Sequence, residues 1–368
     1  MKILKLITQF AEKNNYEIYL VGGPVRDKLL HRANKDLDIL LDTTGSIEPF
    51  VGKFVLFLQI KKARIKKVVH HTEFRTATIY LAGAEYIDIT GTRKETYNTP
   101  GQLPAVSPGT LHEDLSRRDF TINTLALGLA GKNKNRIIDL FSGRKDLSLK
   151  KLEILHDASF IDDPTRILRA IRFIARYGLT FDTRTELLFK TAVADKTLLT
   201  ISKERIKNEL MRLLSEKNYI LNLKLLLKYG IINHIHRELV KMNLSAVNKK
   251  TDLSISEKLV FIFIKYPADT VKRILKELKF GKNITNEVYT AISCISGNSS
   301  GRIPAWVAKL AKKLHITVPK SYINGNDLIR MGFRPGIVFR KIFADLKNRP
   351  GLNSKKEVLQ YIKQKYVK

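Results

Sequence analysis

Apolar residues in this chain change their spacing near residue 150. Before that point short apolar runs alternate with polar turns. The spacing predicts a helix over 2–13, a strand from Glu17 to Val21, a helix over 24–31 and a strand from Asp36 to Leu41. Further strands are predicted at Phe54–Gln59, Ala77–Leu81, Tyr86–Thr90 and Ile137–Leu140. A stretch rich in Pro and Gly over 91–114 reads as a loop, and the second half of 115–127 as helical. After residue 150 strand signals largely stop. Helical patterns follow at 164–177, 183–195, 202–215, 218–229, 234–241, 254–265, 268–278 and 284–295. A Gly- and Ser-rich break (Ser296 to Gly301) precedes a last segment that ends in a lysine-rich helix, 354–367. The plan is a small α+β head on an all-helical extension, with no fixed-period repeat.

Charge sharpens this plan. Lysine and arginine number 66 against 35 acids, a net charge of +31 spread along the chain. An excess of that size favours a polyanionic partner, and nucleic acid before a membrane surface. No apolar run approaches the roughly 18–20 residues that span a bilayer. The start reads as an amphipathic helix without a signal-peptide cleavage pattern, so a cytoplasmic protein is expected. A single cysteine, Cys294, excludes a disulfide framework and a Cys-based zinc site. The eight histidines show no metal-ligand spacing, and there is no serine elbow.

The chemistry begins at Val21-Gly-Gly-Pro-Val-Arg-Asp27, with Asp36-Leu-Asp38 nine residues later. In a strand, residues i and i+2 share a face, so Asp36 and Asp38 would aim two carboxylates at one point, as a Mg²⁺ pair bridging phosphates requires. Gly22 and Gly23 let backbone N–H groups approach a phosphate without a Cβ in the way. Arg26 has the donor fork of a phosphate clamp. Asp88 or Asp42 could supply a third carboxylate. In Arg117-Arg118-Asp119-Phe120-Thr121-Ile122-Asn123, Asp119 can cap a helix and Phe120 enter the core, leaving Arg118 and Asn123 to meet ribose or phosphate. In Asp162-Asp163-Pro164-Thr165-Arg166, Asp163 is a suitable N-cap and Pro164 suits the first helical position. Ile167, Ile171 and Ile174 mark the buried face of that helix, Gly178 ends it, and the arginines at 166, 169, 172 and 176 form a separate stripe. A carboxylate beside a guanidinium can read the Watson–Crick edge of cytosine or adenine, for roughly 1–3 kcal/mol of discrimination per good pair.

These segments, with Ser202-Lys-Glu-Arg205-Ile206, resemble the class II tRNA nucleotidyltransferases, the CCA-adding branch of the polymerase-β-like superfamily that bacterial poly(A) polymerases share. Ile323-Asn-Gly-Asn-Asp-Leu-Ile329, Gly332 and Pro335-Gly336 look like the family's tail. The resemblance implies a polymerase-β-like nucleotidyltransferase head with a mixed sheet (1–145), then an all-α neck (146–215), body (216–296) and tail (297–368), arranged like a seahorse. It implies that Asp36 and Asp38 hold two Mg²⁺ ions. It implies that Asp163 and Arg166 template incoming CTP or ATP, and that Arg118 and Asp119 also contact the nucleotide. Gly23, Arg26, Asn123, Arg169 and Arg172 are the further candidate nucleotide-binding residues, and Asp88 is the possible third carboxylate. Asp162 stands where the family more often has Glu. The partner implied is the tRNA acceptor end. The long 93–114 loop is similar to a lever that switches C to A addition in the family, so a CC-only enzyme is not expected. The alternatives are a poly(A) polymerase and, in another class, a non-catalytic RNA-binding protein with a degenerate head.

Overall fold

Alternating burial along Thr76–Leu81 and Tyr86–Gly91 shows how the N-terminal sheet is made. One face is packed under helices and the other is left open. The structure, a computed structural model, describes residues 2–83, 85–242, 244, 253–297, 303–316, 322–347, 352 and 354–367. It divides into two compact units, Met1–Ile201 and Ser202–Lys368.

The first unit runs α1 (Lys2–Lys13), β1 (Ile18–Val21), α2 (Gly23–Leu29), β2 (Asp38–Leu41), α3 (Glu48–Ile60), β3 (Ile65–His71), β4 (Thr76–Leu81) and β5 (Tyr86–Gly91). It continues with β6 (Arg93–Thr96), β7 (Ala105–Pro108), α4 (Leu111–Ser116), β8 (Ala126–Ala130), β9 (Ile137–Ile138), α5 (Gly143–Ser148), β10 (Lys151–Leu152), α6 (Ser159–Asp162), α7 (Thr165–Tyr177), β11 (Thr180–Phe181) and α8 (Thr183–Ala194). Among the described residues, seven strands form one mixed sheet in the order β3-β4-β5-β2-β1-β8-β9. β2 and β5 are parallel and their neighbours antiparallel. Beneath it, α1 and α3 join their aromatic residues: Phe10 meets Phe50 edge-on at 5.5 Å, and Phe54 is fully buried. Each such burial stabilises by roughly 1.5–3 kcal/mol.

Several expectations change. β3 is not among the predicted strands, and β2 begins at Asp38, leaving Asp36 in the connection before it and not on a strand face with Asp38. Phe54–Gln59 is not a strand but the second half of α3. Glu48 and Pro49 open that helix, and Phe50, Val51, Phe54 and Leu58 recur at helical spacing on its buried face. Residues 121–127 are not a regular helix: a single 3-10 turn, Thr121–Asn123, leads into β8, which is buried between β1 and β9. The 91–114 stretch contains the β6–β7 hairpin and the start of α4.

The helix predicted at 164–177 is α7. Pro164 already has helical dihedrals, the Asp163 carboxylate accepts from the Thr165 N–H at 3.1 Å, and Gly178 closes the helix in the left-handed region. The second unit is helical throughout its described residues. Ser202 and Ser254 cap Lys203–Ser215 and Ile255–Phe263, and Asn324 forms a reciprocal cap with Asp327 over Ile323, Leu328, Ile342, Val358 and Ile362. Residues 298–301 of the Gly- and Ser-rich break lie outside the described residues. Among the described residues no helix is long and apolar enough to cross a membrane.

Candidate active site

The parallel pairing of β2 with β5 sets Asp38 opposite Asp88, and the antiparallel pairing of β5 with β4 sets Asp88 opposite Thr78. The Thr78 hydroxyl donates to Asp88 at 2.6 Å. Asp36 lies just before β2, where its N–H donates to the Asn34 side chain at 2.7 Å. The Asp38 carboxyl is pushed up to about 6, first by burial and then by the negative charges of Asp36 and Asp88, against the opposing pull of Arg118 and Arg26. Asp36 and Asp88 are thus both close enough to act on the Asp38 carboxyl. Asp42 is elsewhere: burial and Glu17 raise its carboxyl.

This donor set suits Mg²⁺, a hard cation that takes one or two carboxylates and completes its shell with water and substrate phosphate oxygens. Among the described residues no group of three or more His, Cys, Asp or Glu is placed to hold a metal ion by itself.

On the β1 side of the carboxylates stands a cationic group. Gly22 turns the chain at φ 68° and ψ −123°, and its N–H donates to the Leu125 carbonyl at 3.1 Å. A Cβ on Gly22 would lie 3.0 Å from the Arg118 Nη1. Arg118 donates to the Asn123 carbonyl at 3.2 Å and to Asp114 at 3.0 Å. Asp114 is buried, which by itself would raise its carboxyl; Arg118 and Arg117 outweigh burial and hold it below the usual carboxylate range.

Arg26 is not the open clamp its sequence suggests. It is buried, donates to Asp27 at 3.0 Å, to the Asn123 side chain and to the Tyr177 hydroxyl at 2.5 Å, and its guanidinium lies 4.5 Å from the Tyr177 ring centroid. Asp27 is fully buried and also accepts from Tyr177 at 2.8 Å and from Asn34 at 2.7 Å. Burial opposes its ionisation, but Arg26 first and then these hydrogen bonds keep its carboxyl low. Asn34 therefore links Asp27 to the backbone of Asp36. Gly23, the first residue of α2, sits against that link, where a Cβ would make only ordinary packing contacts with Arg26 and Asn34 at 3.7 Å.

Asp119 accepts from Arg169 at 2.8 Å and from Asn123 at 2.8 Å, and Phe120 enters the core as expected. Burial would raise the Asp119 carboxyl, but Arg169 and the Asn123 hydrogen bond bring it down to about 2. Arg172 lies 4.9 Å from the Phe173 ring centroid.

At the start of α7 the Asp163 carboxylate accepts from the Thr165 hydroxyl at 2.6 Å. Arg166 is buried and donates to the Ser159 hydroxyl at 2.5 Å and to the Arg117 carbonyl at 2.9 Å. It lines a cleft of about 300 Å³ with Glu95, Tyr97, Arg117, His156 and Asp162. Glu95, on β6, binds Arg93 at 3.0 Å and Arg117 at 2.8 Å. The hairpin tip is fitted closely: a Cβ on Gly101 would lie 2.3 Å from the Thr200 hydroxyl.

The predicted residues therefore gather in three places: Asp36, Asp38 and Asp88 with Arg118; Arg26, Asn123, Asp119 and Arg169 in one network; Asp163 and Arg166 at the start of α7. Sequence reasoning missed Asp27, Asp114, Glu95 and Tyr177 as members. Asp27 stands next to Arg26, which is a signal of sorts. Tyr177 meets Asp27 across 150 residues, and nothing local announces it.

The family profile described as "Poly A polymerase head domain" matches residues 18–153, and that described as "Probable RNA and SrmB- binding site of polymerase A" matches residues 178–242. The chain is 36% identical to the A-adding tRNA nucleotidyltransferase of Geobacter sulfurreducens, over 65% of this chain and 26% of that one. It is 30% identical to the CCA-adding enzyme of Oceanobacillus iheyensis, over 80% of this chain and 71% of that one. It spans 26%, 49% and 28% of the length of three curated A-adding relatives. Among solved structures, an apo form of a CCA-adding enzyme matches with a TM-score of 0.64 and 27% identity, over 98% of this chain and 94% of that one.

Proposed function

The chain belongs to the tRNA nucleotidyltransferase/poly(A) polymerase family, and from that premise we propose that it adds nucleotides to the 3′ end of tRNA. The product is the terminal CCA or its final A, taken from CTP and ATP with release of pyrophosphate. The observation that supports this most is the Asp38–Asp88 register, with Asp36 beside it and Arg118 close enough to act on Asp38.

Asp36 and Asp38 would hold two Mg²⁺ ions, which when bound activate the attacking 3′-hydroxyl and neutralise charge on the departing pyrophosphate. Asp88 adds its charge to the same place. Arg118, fixed on Asn123 and Asp114, offers donors to the phosphates. The Gly22–Gly23 turn keeps side-chain atoms out of their approach. Asp119 holds Arg169 and Asn123 in place, and Arg26 braces the turn from behind. Asp163 and Arg166 select the base. The carboxylate accepts from the exocyclic amine of cytosine or adenine, and the guanidinium donates to the ring nitrogen beside it. Guanine and uracil present a carbonyl there and are repelled. Arg172 extends this basic stripe toward the nucleotide. Residues 146–215 are the neck, and the basic helices of 216–296 and 297–368 grip the acceptor stem by phosphate and 2′-hydroxyl contacts.

The test offers purified protein three tRNA transcripts, ending before CCA, after C and after CC, with labelled CTP or ATP. Extension of all three by the correct bases identifies CCA addition; extension of the last alone identifies A addition. The descriptions of the matching profiles favour a second reading, a poly(A) polymerase. Long homopolymer on any RNA would establish that and remove the tRNA proposal.

A further inference from the structure

The carboxylates on β2 divide the open face of the sheet. On the β1–β8 side lie Arg118 and Arg26, and through Tyr177 and Asp119 that side connects to α7. On the β5–β4–β3 side the face has a different character. The register places Asp38, Asp88, Thr78 and Val69 in one row across the sheet, and Tyr86, Tyr80 and Lys67 in the next. The Tyr80 and Tyr86 rings lie 6.3 Å apart, and the Lys67 ammonium sits 4.5 Å from the Tyr80 centroid. The Tyr86 hydroxyl reaches Asp36 at 3.4 Å, yet the residue remains 38% exposed. Cross-strand aromatic pairing accounts for the contact between the rings. It does not account for an exposed tyrosine and lysine lined up with a half-buried tyrosine between them beside the reacting centre.

We propose that Tyr86, Tyr80 and Lys67 form a ledge on which the last base of the RNA stacks, with Lys67 meeting the phosphate behind it. The inference rests on the proposed nucleotide addition, which joins two substrates at the carboxylates. The triphosphate has the arginine side, so the RNA end takes the aromatic side. Aromatic rings accept any base by its π-face, and a cation at the edge suits the backbone. An acceptor whose last base changes at each addition needs a platform of that tolerance.

The experiment uses the full chain and a tRNA transcript that ends before CCA with 2-aminopurine as its last base. Binding without nucleotide is followed by fluorescence, and extension of unmodified transcripts by kinetics. Tyr86→Leu should raise the KM for RNA about tenfold, within the roughly 5- to 150-fold that base–aromatic stacking carries, and leave the KM for CTP and ATP unchanged. It should also remove the fluorescence change, whereas Tyr86→Phe keeps both. Wild-type fluorescence and RNA KM in Tyr86→Leu overturn the ledge, as does a shift in the nucleotide KM instead. If Tyr86→Leu does not fold, the exposed Lys67→Ala decides: RNA binding should weaken and its salt slope fall by about one, and an unchanged slope refutes the assignment. A wild-type protein that extends no transcript counts against nucleotide addition itself, a separate result.

Discussion

Replacing Gly22 by alanine tests the site's geometry most directly. At φ 68° and ψ −123° the residue lies outside the left-handed region that an L-residue tolerates, so strain of about 1–3 kcal/mol is expected. The new methyl would also stand 3.0 Å from the Arg118 Nη1. That contact is tight, and it relaxes by moving the guanidinium off the Asn123 carbonyl. Together the two effects should destabilise Met1–Ile201 by about 2–4 kcal/mol and lower kcat about tenfold. Gly178→Ala is the control. Its φ of 67° and ψ of 37° are left-handed helical and a Cβ there meets nothing within 4 Å, so it should cost only about 1 kcal/mol. Denaturant unfolding followed through the first unit, with single-nucleotide incorporation, measures both. A double-mutant cycle with Arg118→Ala isolates the contact: the coupling should be about 0.5 kcal/mol or more. The reasoning fails if Gly22→Ala costs no more than Gly178→Ala, or if the cycle is additive.

Asp38→Asn should abolish incorporation while gel-shift affinity for tRNA stays within about twofold; retained activity would sink the metal assignment. Asp119 titrates at about 2 in the folded chain, below its unfolded value, so its stabilisation is complete above that unfolded value and is lost as pH falls through about 2. The stability gap between wild type and Asp119→Asn should therefore be about 2–3 kcal/mol at neutral pH and narrow steadily below pH 4, and a constant gap on denaturant titration would refute it. With a net charge of +31, tRNA affinity should fall at least roughly 100-fold between 50 and 200 mM salt, by filter binding; a shallow dependence would argue against a phosphate-dominated grip.

The sequence made the head's chemistry more legible than its architecture. Asp36, Asp38 and the glycine turn stand out because the residue types and their spacing are local. Asp88 could be named as the possible third carboxylate, but the physical reason to prefer it to Asp42 lies in the β2–β5 register. The 54–59 error has a plain cause: an unbroken apolar run has no phase, and only its continuation back to Phe50 and Val51 reveals the helical period. Ala126–Ala130 misled for the same reason, being buried between two partners. Arg26 was read by its chemistry alone, and its role depends on Tyr177, 151 residues away in sequence.

The bonds from Tyr177 through Asp27 and Asn34 to the backbone of Asp36 run without a break from the end of α7 to the edge of the carboxylate centre. Helix α7 is a rigid rod of 13 residues that starts beside Asp163 and Arg166. Chain and rod together make a ruler. On the proposed reading, one end lies where phosphate chemistry would occur and the other where a base would be inspected. A polymerase that copies a strand takes its step length from that strand. On the proposed reading this protein carries its step length in its own fold, and Tyr177→Phe, by cutting one link, should blur the count before it slows the reaction.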